Sequence, residues 1–253
     1  MTEWIRFSRD NQLGFGVIEN EQVVSYKGDM FDLHEPDGEV FSLCDVTLEC
    51  PVPSSALTMG IWNNFDAVRE KQNLPQPQHP WYFIKPPTCL LGPGRVVQHP
   101  QSYTGPVIYE AELAIVIGRS IRNVTPKAAS RYILGYTAAQ AISDRTIQNA
   151  ESQWARAKSF DTFTPLGPYI ETKIDPDCLT IQLFKNGQLC QNSSTAQMIF
   201  TCSELVSFIS TNMTLLPGDV ILTGTPSGVG PIESDDTLEV RIQGLAPLVN
   251  SVK

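Results

Sequence analysis

The chain lacks the features that mark zinc-binding, disulfide-rich, nucleic-acid-binding and membrane proteins. Its six cysteines show no Cys-x-x-Cys spacing and no companion histidines, so neither a zinc site nor a disulfide framework is indicated. Positive charge is scarce, since 18 Lys and Arg stand against 27 Asp and Glu, and no basic cluster predicts a nucleic-acid surface. The sequence has neither a basic leader nor a membrane-length apolar run. We therefore expect a cytoplasmic protein, without nucleic-acid or membrane partners, that acts on a small molecule.

What is present is a chain of 253 residues, of which 42% are apolar, enough for a large core. Residues 1 to about 30 alternate in the manner of short strands, and a looser stretch follows, so that residues 1–50 predict a small N-terminal β-meander unit. Residues 51–253 mix strand patterns, such as 107–117, with helical stretches, such as 203–213, and show no regular strand–helix alternation. The sequence therefore predicts an α+β, β-rich fold with one larger domain after residue 50.

Glu110 and Glu112 are the candidate centre of a site, because they open the apolar run Leu113–Gly118. Alternate side chains of a strand share a face, so both carboxylates are expected to point the same way. Two like charges held together favour a cation, and clustered carboxylate oxygens suit Mg²⁺, Mn²⁺ or Ca²⁺. The alternative is an exposed edge strand whose outer face is simply acidic.

Three further segments carry candidate substrate-binding or catalytic residues. Arg145 and Gln148 lie in a short, mostly apolar stretch, where an arginine could clamp a carboxylate unless it only begins a solvated helix. Lys158 stands among small and aromatic residues and could hold an oxyanion, or else be an ordinary surface lysine. Gly224 and Thr225 begin a glycine-rich turn that could bind a carboxylate or enolate oxygen, or be a plain tight turn.

Taken together, these segments resemble the fumarylacetoacetate hydrolase superfamily over nearly the whole chain. The motifs that carry the resemblance are Tyr109-Glu110-Ala111-Glu112-Leu113 with Val116-Ile117-Gly118, Gly135-Tyr136-Thr137, Arg145 with Gln148, Lys158-Ser159-Phe160-Asp161 with Gly167-Pro168, Asn186-Gly187-Gln188 with Gln191, and Leu216-Pro217-Gly218-Asp219-Val220-Ile221 running into Thr223-Gly224-Thr225-Pro226. Each motif is short, but together they follow the family's order.

The resemblance implies a mixed β-sheet and β-roll fold with a small N-terminal β unit, and a homodimer. It also implies a Mg²⁺ or Mn²⁺ ion held by Glu110, Glu112 and an aspartate, and reactions of 2-oxo or 1,3-dioxo acids. A divalent ion that chelates such an acid stabilises the enolate shared by hydrolysis, decarboxylation, isomerisation and tautomerisation. Lys158 and the backbone around Thr225 are expected to add charge stabilisation.

The chain departs from the family's pattern at the third metal ligand. In the family, Gly-Tyr-Thr is followed after two residues by an Asn-Asp pair whose Asp completes the metal site, whereas this chain has Gln140 and Ala141. Mg²⁺ keeps several waters and tolerates few protein ligands, so a weakly bound ion is compatible with the change. Asp144, three residues further on, is the candidate compensating ligand, with Gln140 as the alternative.

A second departure concerns a mobile lid helix, where the family carries a His and, three residues on, a Glu that activate water. The corresponding positions hold either Asp66 with Arg69 or Val68 with Lys71, and neither choice restores the pair. Asp66 and Glu70, four residues apart, are the candidate bases, unless they form a solvated acidic face. Hydrolysis needs an activated water, so the loss of the His–Glu pair favours another reaction.

The sequence thus favours a metal-dependent lyase or isomerase that forms an enolate from a 2-oxo or 1,3-dicarbonyl acid. Glu110, Glu112 and Asp144 are its expected metal ligands and Lys158 its electrostatic catalyst, with Asp66 or Glu70 as the base. A C–C bond hydrolase of a dioxo acid is the second interpretation. A catalytically inactive binding protein on the same fold is the third.

Overall fold

Strands dominate the chain, of which the computed structural model describes residues 2–100 and 105–253. The strands are β1 Glu3–Arg9, β2 Gln12–Glu19, β3 Gln22–Gly28, β4 His34–Ser42, β5 Thr47–Leu48, β6 Thr58–Trp62, β7 Trp81–Lys85, β8 Leu90–Leu91, β9 Val96–Val97, β10 Val107–Tyr109, β11 Ala111–Ile117, β12 Ile133–Gln140, β13 Ser143–Asp144, β14 Thr164–Glu171, β15 Thr180–Lys185, β16 Gln188–Ser194, β17 Val220–Leu222, β18 Gly230–Ile232, β19 Thr237–Ile242 and β20 Leu248–Val252. The predicted α+β, β-rich fold is confirmed.

The helices are short. The α-helices are α1 Asp66–Lys71, α2 Pro126–Ala129, α3 Arg145–Ala150, α4 Ala155–Lys158 and α5 Cys202–Asn212, and the 3-10 helices are Leu43–Asp45, Pro87–Cys89, Ser130–Tyr132, Pro176–Cys178 and Thr195–Gln197. The longest, α5, has 11 residues and begins with a capping box between Thr201 and Glu204. Within the described residues, no helix has the length and apolar character needed to cross a membrane.

A large mixed sheet organises the structure, with the strand order β4-β3-β2-β1-β14-β12-β11-β17-β6-β7. Two further strands are attached to it, β5 on β1 and β8 on β14. A three-stranded sheet, β13-β10-β18, and a five-stranded sheet, β16-β15-β19-β20-β9, complete the described part of the fold. The largest core cluster packs between the large sheet, α5 and the five-stranded sheet.

The N-terminal meander forms because its turn residues accept the backbone that a tight hairpin needs. Asp10 and Asn11 have φ angles of 50° and 60°, and these residue types tolerate the left-handed region better than most. β1 then pairs with β14, with Trp4 opposite Ile170, so the meander continues the large sheet. The domain boundary near residue 50 stays a prediction.

β11 is a central strand, which decides between the two interpretations of the glutamate pair. It lies between β12 and β17, and all seven of its residues are buried. Glu110 immediately precedes it and Glu112 is its second residue, and these side chains are also buried, with 7% and 2% exposed. The alternative of an exposed acidic edge strand is therefore wrong, because strands cover β11 on both sides.

Candidate active site

A cavity of about 480 Å³ lies at the beginning of β11. Its lining brings together six residues singled out from the sequence, namely Glu110, Glu112, Arg145, Gln148, Lys158 and Thr225. They come from four segments: β11 with the residue before it, α3, α4, and the turn after β17. These residues are far apart in the sequence, and the order of the strands in the sheets brings their side chains together.

Lys158 and Glu110 form a buried ion pair in this cavity. Lys158 ends α4, is 2% exposed, and donates to Glu110 Oε2 and, at 3.2 Å, to the carbonyl oxygen of Ala141. Its Nζ also lies 5.1 Å from the centroid of the Phe83 ring, a cation–π contact. An ammonium group has three N–H donors, so one remains for an oxygen in the cavity.

The turn after β17 holds Glu112. The backbone N–H of Gly224 donates to Glu112 Oε2 at 2.6 Å. Burial, and next the charge of Glu110, raise the pKa of Glu112 to about 8, although Lys158 and the Gly224 hydrogen bond oppose the shift. Because this pKa lies near neutrality, the Glu112 side chain can both accept and release a proton.

Two amide side chains that were not among the candidate site residues, Asn64 and Gln191, fix the Gly224–Thr225 turn. Asn64 Nδ2 donates to the carbonyl oxygen of Thr223 at 2.8 Å. Gln191 Nε2 donates to Thr225 Oγ1 at 2.9 Å, while its Oε1 accepts from the backbone N–H of Ala111 at 2.9 Å. Gln191 belonged to a family motif, but no local pattern indicated that it connects β11 to the turn. Asn64 had no such signal.

Arg145 begins α3 and faces the same cavity. Its Nη1 donates to Gln148 Oε1 at 3.2 Å, one helical turn along. Among the residues that the structure describes, no carboxylate forms an ion pair with Arg145. Its guanidinium group is therefore available for an anionic ligand, as the sequence suggested.

Asp144 has a structural role at the beginning of α3. It is the N-cap of α3, where its Oδ1 accepts from the backbone N–H of Ile147 at 2.9 Å, and it does not line the cavity. Gln140 faces away as well, because it pairs with Ala111, while Glu112 pairs with Ala139 on the other face of the sheet. Neither side chain takes the place of the missing third metal ligand.

Ala141 occupies that place. The β11–β12 register, continued by one step, sets Ala141 opposite Glu110, and the Ala141 N–H donates to the Glu110 carbonyl oxygen at 2.9 Å. An aspartate at 141 would therefore put a carboxylate beside Glu110, on its face of the sheet. The fully buried methyl group of Ala141 stands there instead.

The residues present do not fit the divalent ion that the resemblance implies. The set that the resemblance implies, three carboxylates together with one lysine ammonium group, carries a net charge of −2, which a dication balances. Here the set is two carboxylates and Lys158, and Lys158 already neutralises Glu110. In the described parts of the chain, no three His, Cys, Asp or Glu side chains are grouped so that they could hold a metal ion.

Asp66 and Glu70 lie outside the cavity. Both carboxylates contact Arg69, Asp66 at 3.1 Å and Glu70 at 3.4 Å. The other face of α1 supplies Val68 and Lys71 to the cavity lining. The expectation that Asp66 or Glu70 is the base therefore has no geometric support, because α1 turns its acidic face outward.

A buried lysine under the site was not expected from the sequence. Lys85, the last residue of β7, is fully buried and donates to the carbonyl oxygens of Lys158 at 2.6 Å and Ile142 at 3.4 Å. Burial, and next the charge of Lys158, lower the pKa of Lys85 to about 7. Lys85 thus ties the end of α4 to the chain that follows β12.

Most of the chain matches sequence models of known protein families. Residues 58–253 match the sequence model described as the C-terminal domain of fumarylacetoacetate (FAA) hydrolase, and residues 3–51 match one described as the Rv2993c-like N-terminal domain. The chain is similar to oxaloacetate tautomerase YisK of Bacillus subtilis, with 34% identity over 226 residues that cover 84% of this chain and 75% of that protein.

Solved structures extend the similarity to the full length. A 2-hydroxyhepta-2,4-diene-1,7-dioate isomerase from Mycobacterium marinum superposes with a TM-score of 0.92 at 36% identity, covering 100% of this chain and 98% of that one. A maleylpyruvate hydrolase from Sphingobium sp. SYK-6 superposes with a TM-score of 0.82 at 26% identity, covering 99% and 98%. The relatives thus include a tautomerase, an isomerase and a hydrolase on one fold.

Proposed function

This chain belongs to the fumarylacetoacetate hydrolase family, and from that premise we propose that it is an enolising lyase or isomerase of a 2-oxo or 1,3-dicarbonyl acid. Tautomerisation or double-bond migration is the simplest such reaction, and decarboxylation passes through the same enolate. The observation that carries the proposal is the convergence of two buried carboxylates and two cationic side chains, Lys158 and Arg145, on one cavity.

Substrate binding is assigned to Arg145 and Gln148. A guanidinium group offers a planar fork of donors that matches a carboxylate, and Arg145 uses one of its nitrogens on Gln148. Gln148 thereby fixes the direction of the arginine. In this arrangement the substrate's carboxylate lies on Arg145, and its keto group extends toward Lys158.

The keto oxygen is assigned to Lys158 and Thr225. Lys158 has one N–H donor left, and Thr225 Oγ1 already accepts a hydrogen bond from Gln191, which leaves its own O–H free to donate. Negative charge develops on this oxygen when the enolate forms. Donors fixed in advance around a buried oxygen stabilise such charge more than water does.

Proton transfer is assigned to Glu112. When its carboxylate removes the proton next to the keto group, the C–H electron pair becomes the C=C bond and the C=O pair moves onto oxygen. The proton is then returned to that oxygen, or to a different carbon when a double bond migrates. Glu112 suits the task because one of its oxygens is fixed by Gly224 and its carboxyl group lines the cavity.

Hydrolysis is the less supported reaction. It needs a water activated by a base beside the substrate, and Asp66 and Glu70 lie on the outer face of α1. The three histidines, His34, His79 and His99, do not belong to the cavity lining. A homodimer and a cytoplasmic location stay predictions.

The proposal is tested by deuterium exchange at the carbon next to the keto group. The protein is incubated in D₂O with pyruvate, 2-oxobutyrate, oxaloacetate and a 1,3-dicarbonyl acid, and exchange is followed by proton NMR. We expect catalysed exchange with at least one acid. E112Q is expected to abolish exchange, and K158M to reduce it at least about hundredfold, the scale of losing one oxyanion donor.

The Lys27–Glu35 pair offers matched controls, because it is the same pair of residue types with 64% and 70% of the side chains exposed. K27M and E35Q are expected to exchange at the normal rate. Absence of exchange with every acid, in a folded protein, would leave the inactive binding protein as the better interpretation. Incorporation of solvent ¹⁸O into a new carboxylate would instead establish hydrolysis.

A further inference from the structure

One side of the cavity is aromatic. Trp62 ends β6, Phe83 lies on β7 and Trp154 precedes α4, and we call these three residues the aromatic wall. Trp154 contacts Trp62 edge to face, with ring centroids 5.2 Å apart, and Phe83 at 6.0 Å. All three are partly exposed in the chain, and they line the cavity together. The wall therefore presents apolar ring surface to whatever binds beside Lys158.

The charged side chains of the described lining are Lys71, Glu110, Glu112, Arg145 and Lys158. Lys158 is paired with Glu110, and Arg145 is assigned to the substrate's first carboxylate. In the described lining this leaves Lys71 for a second carboxylate. Lys71 is exposed on α1, where water and salt screen its attraction for an anion. The cavity is thus poorly equipped for a compact dicarboxylate.

We infer that this site selects 2-oxo acids that carry a planar apolar substituent, such as an aryl ring, over small dicarboxylic oxo acids. The inference rests on the proposed function, which places the 2-oxo acid group on Arg145 and Lys158. The substituent then extends from the keto carbon to the aromatic wall. A ring stacked on, or edge to face with, Trp62 and Trp154 gains contact area and favourable ring geometry that a carboxylate does not.

The test compares phenylpyruvate, pyruvate and oxaloacetate by isothermal titration calorimetry. Phenylpyruvate is expected to bind at least about tenfold more tightly than either other acid, the scale of one well-filled apolar group. W154L is expected to weaken phenylpyruvate binding about tenfold and to leave pyruvate binding within about twofold. Because Trp154 directly precedes the helix that carries Lys158, W62L serves as a second variant with the same expectation.

Trp81 supplies the control, because it contacts Trp62 at 5.0 Å and lies on β7 but does not line the cavity. W81L is expected to leave the ratio of the phenylpyruvate and pyruvate affinities unchanged. Tighter binding of oxaloacetate than of phenylpyruvate overturns the inference, and so does an unchanged ratio in both W154L and W62L.

The deuterium-exchange experiment separates a failure of the proposed function from a failure of the inference about the aromatic wall. If no acid undergoes deuterium exchange, the enolisation chemistry is refuted whatever the affinities are. If exchange occurs but the aryl preference is absent, only the inference about the aromatic wall fails. Binding of none of the three acids overturns both.

Discussion

Replacing Ala141 with Asp is expected to create the divalent-cation site that the native residues do not fit. Ala141 lies opposite Glu110, and Lys158 donates both to its carbonyl oxygen and to the Glu110 carboxylate. A carboxylate at 141 would therefore be the third in the group, with Glu112 two residues from Glu110 along the chain. The net charge of the group changes from −1 to −2, because Lys158 contributes one positive charge.

The size of the effect follows from charge and burial. A dication and a carboxylate about 4 Å apart attract by roughly 8 kcal/mol at an effective dielectric constant of about 20. Burying the new carboxylate costs several kcal/mol, because Ala141 is fully buried. A net gain of about 3 kcal/mol corresponds to roughly hundredfold tighter metal binding. Without metal, the same variant is expected to be less stable than the native protein.

The assay is Mn²⁺ titration by calorimetry, together with thermal unfolding with and without Mn²⁺. A141D is expected to bind one ion and to unfold at a higher temperature when the ion is present. A141N is the matched control, because it has nearly the same shape without the charge, and its unfolding temperature is expected to stay unchanged by Mn²⁺. Micromolar binding of Mn²⁺ to the native protein, with no gain in A141D, would refute the reasoning.

Three further predictions concern the buried charges and the turn. Lys85 has a lowered pKa, so between about pH 7 and 10 the unfolded chain binds one proton more than the folded chain. As the pH rises through this range, the free energy of unfolding of the native protein should increase relative to that of K85M by up to about 1.4 kcal/mol per pH unit. Urea unfolding that gives the same difference between the two proteins at about pH 7 and about pH 9 would contradict this. Removing one partner of the Glu110–Lys158 pair should cost roughly 3–5 kcal/mol, whereas the double variant E110Q/K158M should cost less than the sum; additive losses would show that the pair is not coupled. At Gly224, φ is +98° and a Cβ would lie 2.9 Å from a neighbouring Cβ, so G224A should lose roughly 1–2 kcal/mol more than G187A, where φ is +76° and space is open; equal losses would remove the steric argument.

The parts of the site that the sequence predicted are those set by local pattern. Glu110 and Glu112 stand at the start of an apolar run, and Arg145 and Gln148 are one helical turn apart, so their shared direction follows from strand and helix geometry. The pairing of β11 with β12, which puts Ala141 beside Glu110, is non-local. The resemblance to the family indicated that an aspartate is missing at position 141, and the β11–β12 register showed that this aspartate would lie beside Glu110.

The parts that the sequence did not predict depend on which face an element turns inward. Asp66 and Glu70 do share a face of α1, but the helix packs Val68 toward the cavity and leaves the acidic face in solvent. The aromatic wall draws on three separate segments, so no periodicity relates Trp62 to Trp154. The orientation of α1 and the assembly of the aromatic wall both depend on how separate elements pack against one another, and the pattern within a single segment does not show that packing.

The pairing of β1 with β14 has a consequence for how this protein can be divided. Two sequence families meet in the chain, over residues 3–51 and 58–253, yet their residues share one continuous sheet. Excising the first segment would strip β14 of a hydrogen-bonding neighbour and open a sheet edge beside the fully buried Ile170. Such an edge invites pairing between molecules, so the larger segment alone is expected to aggregate. A truncated chain that begins after residue 51 is therefore expected to need a repair of that edge to stay monomeric.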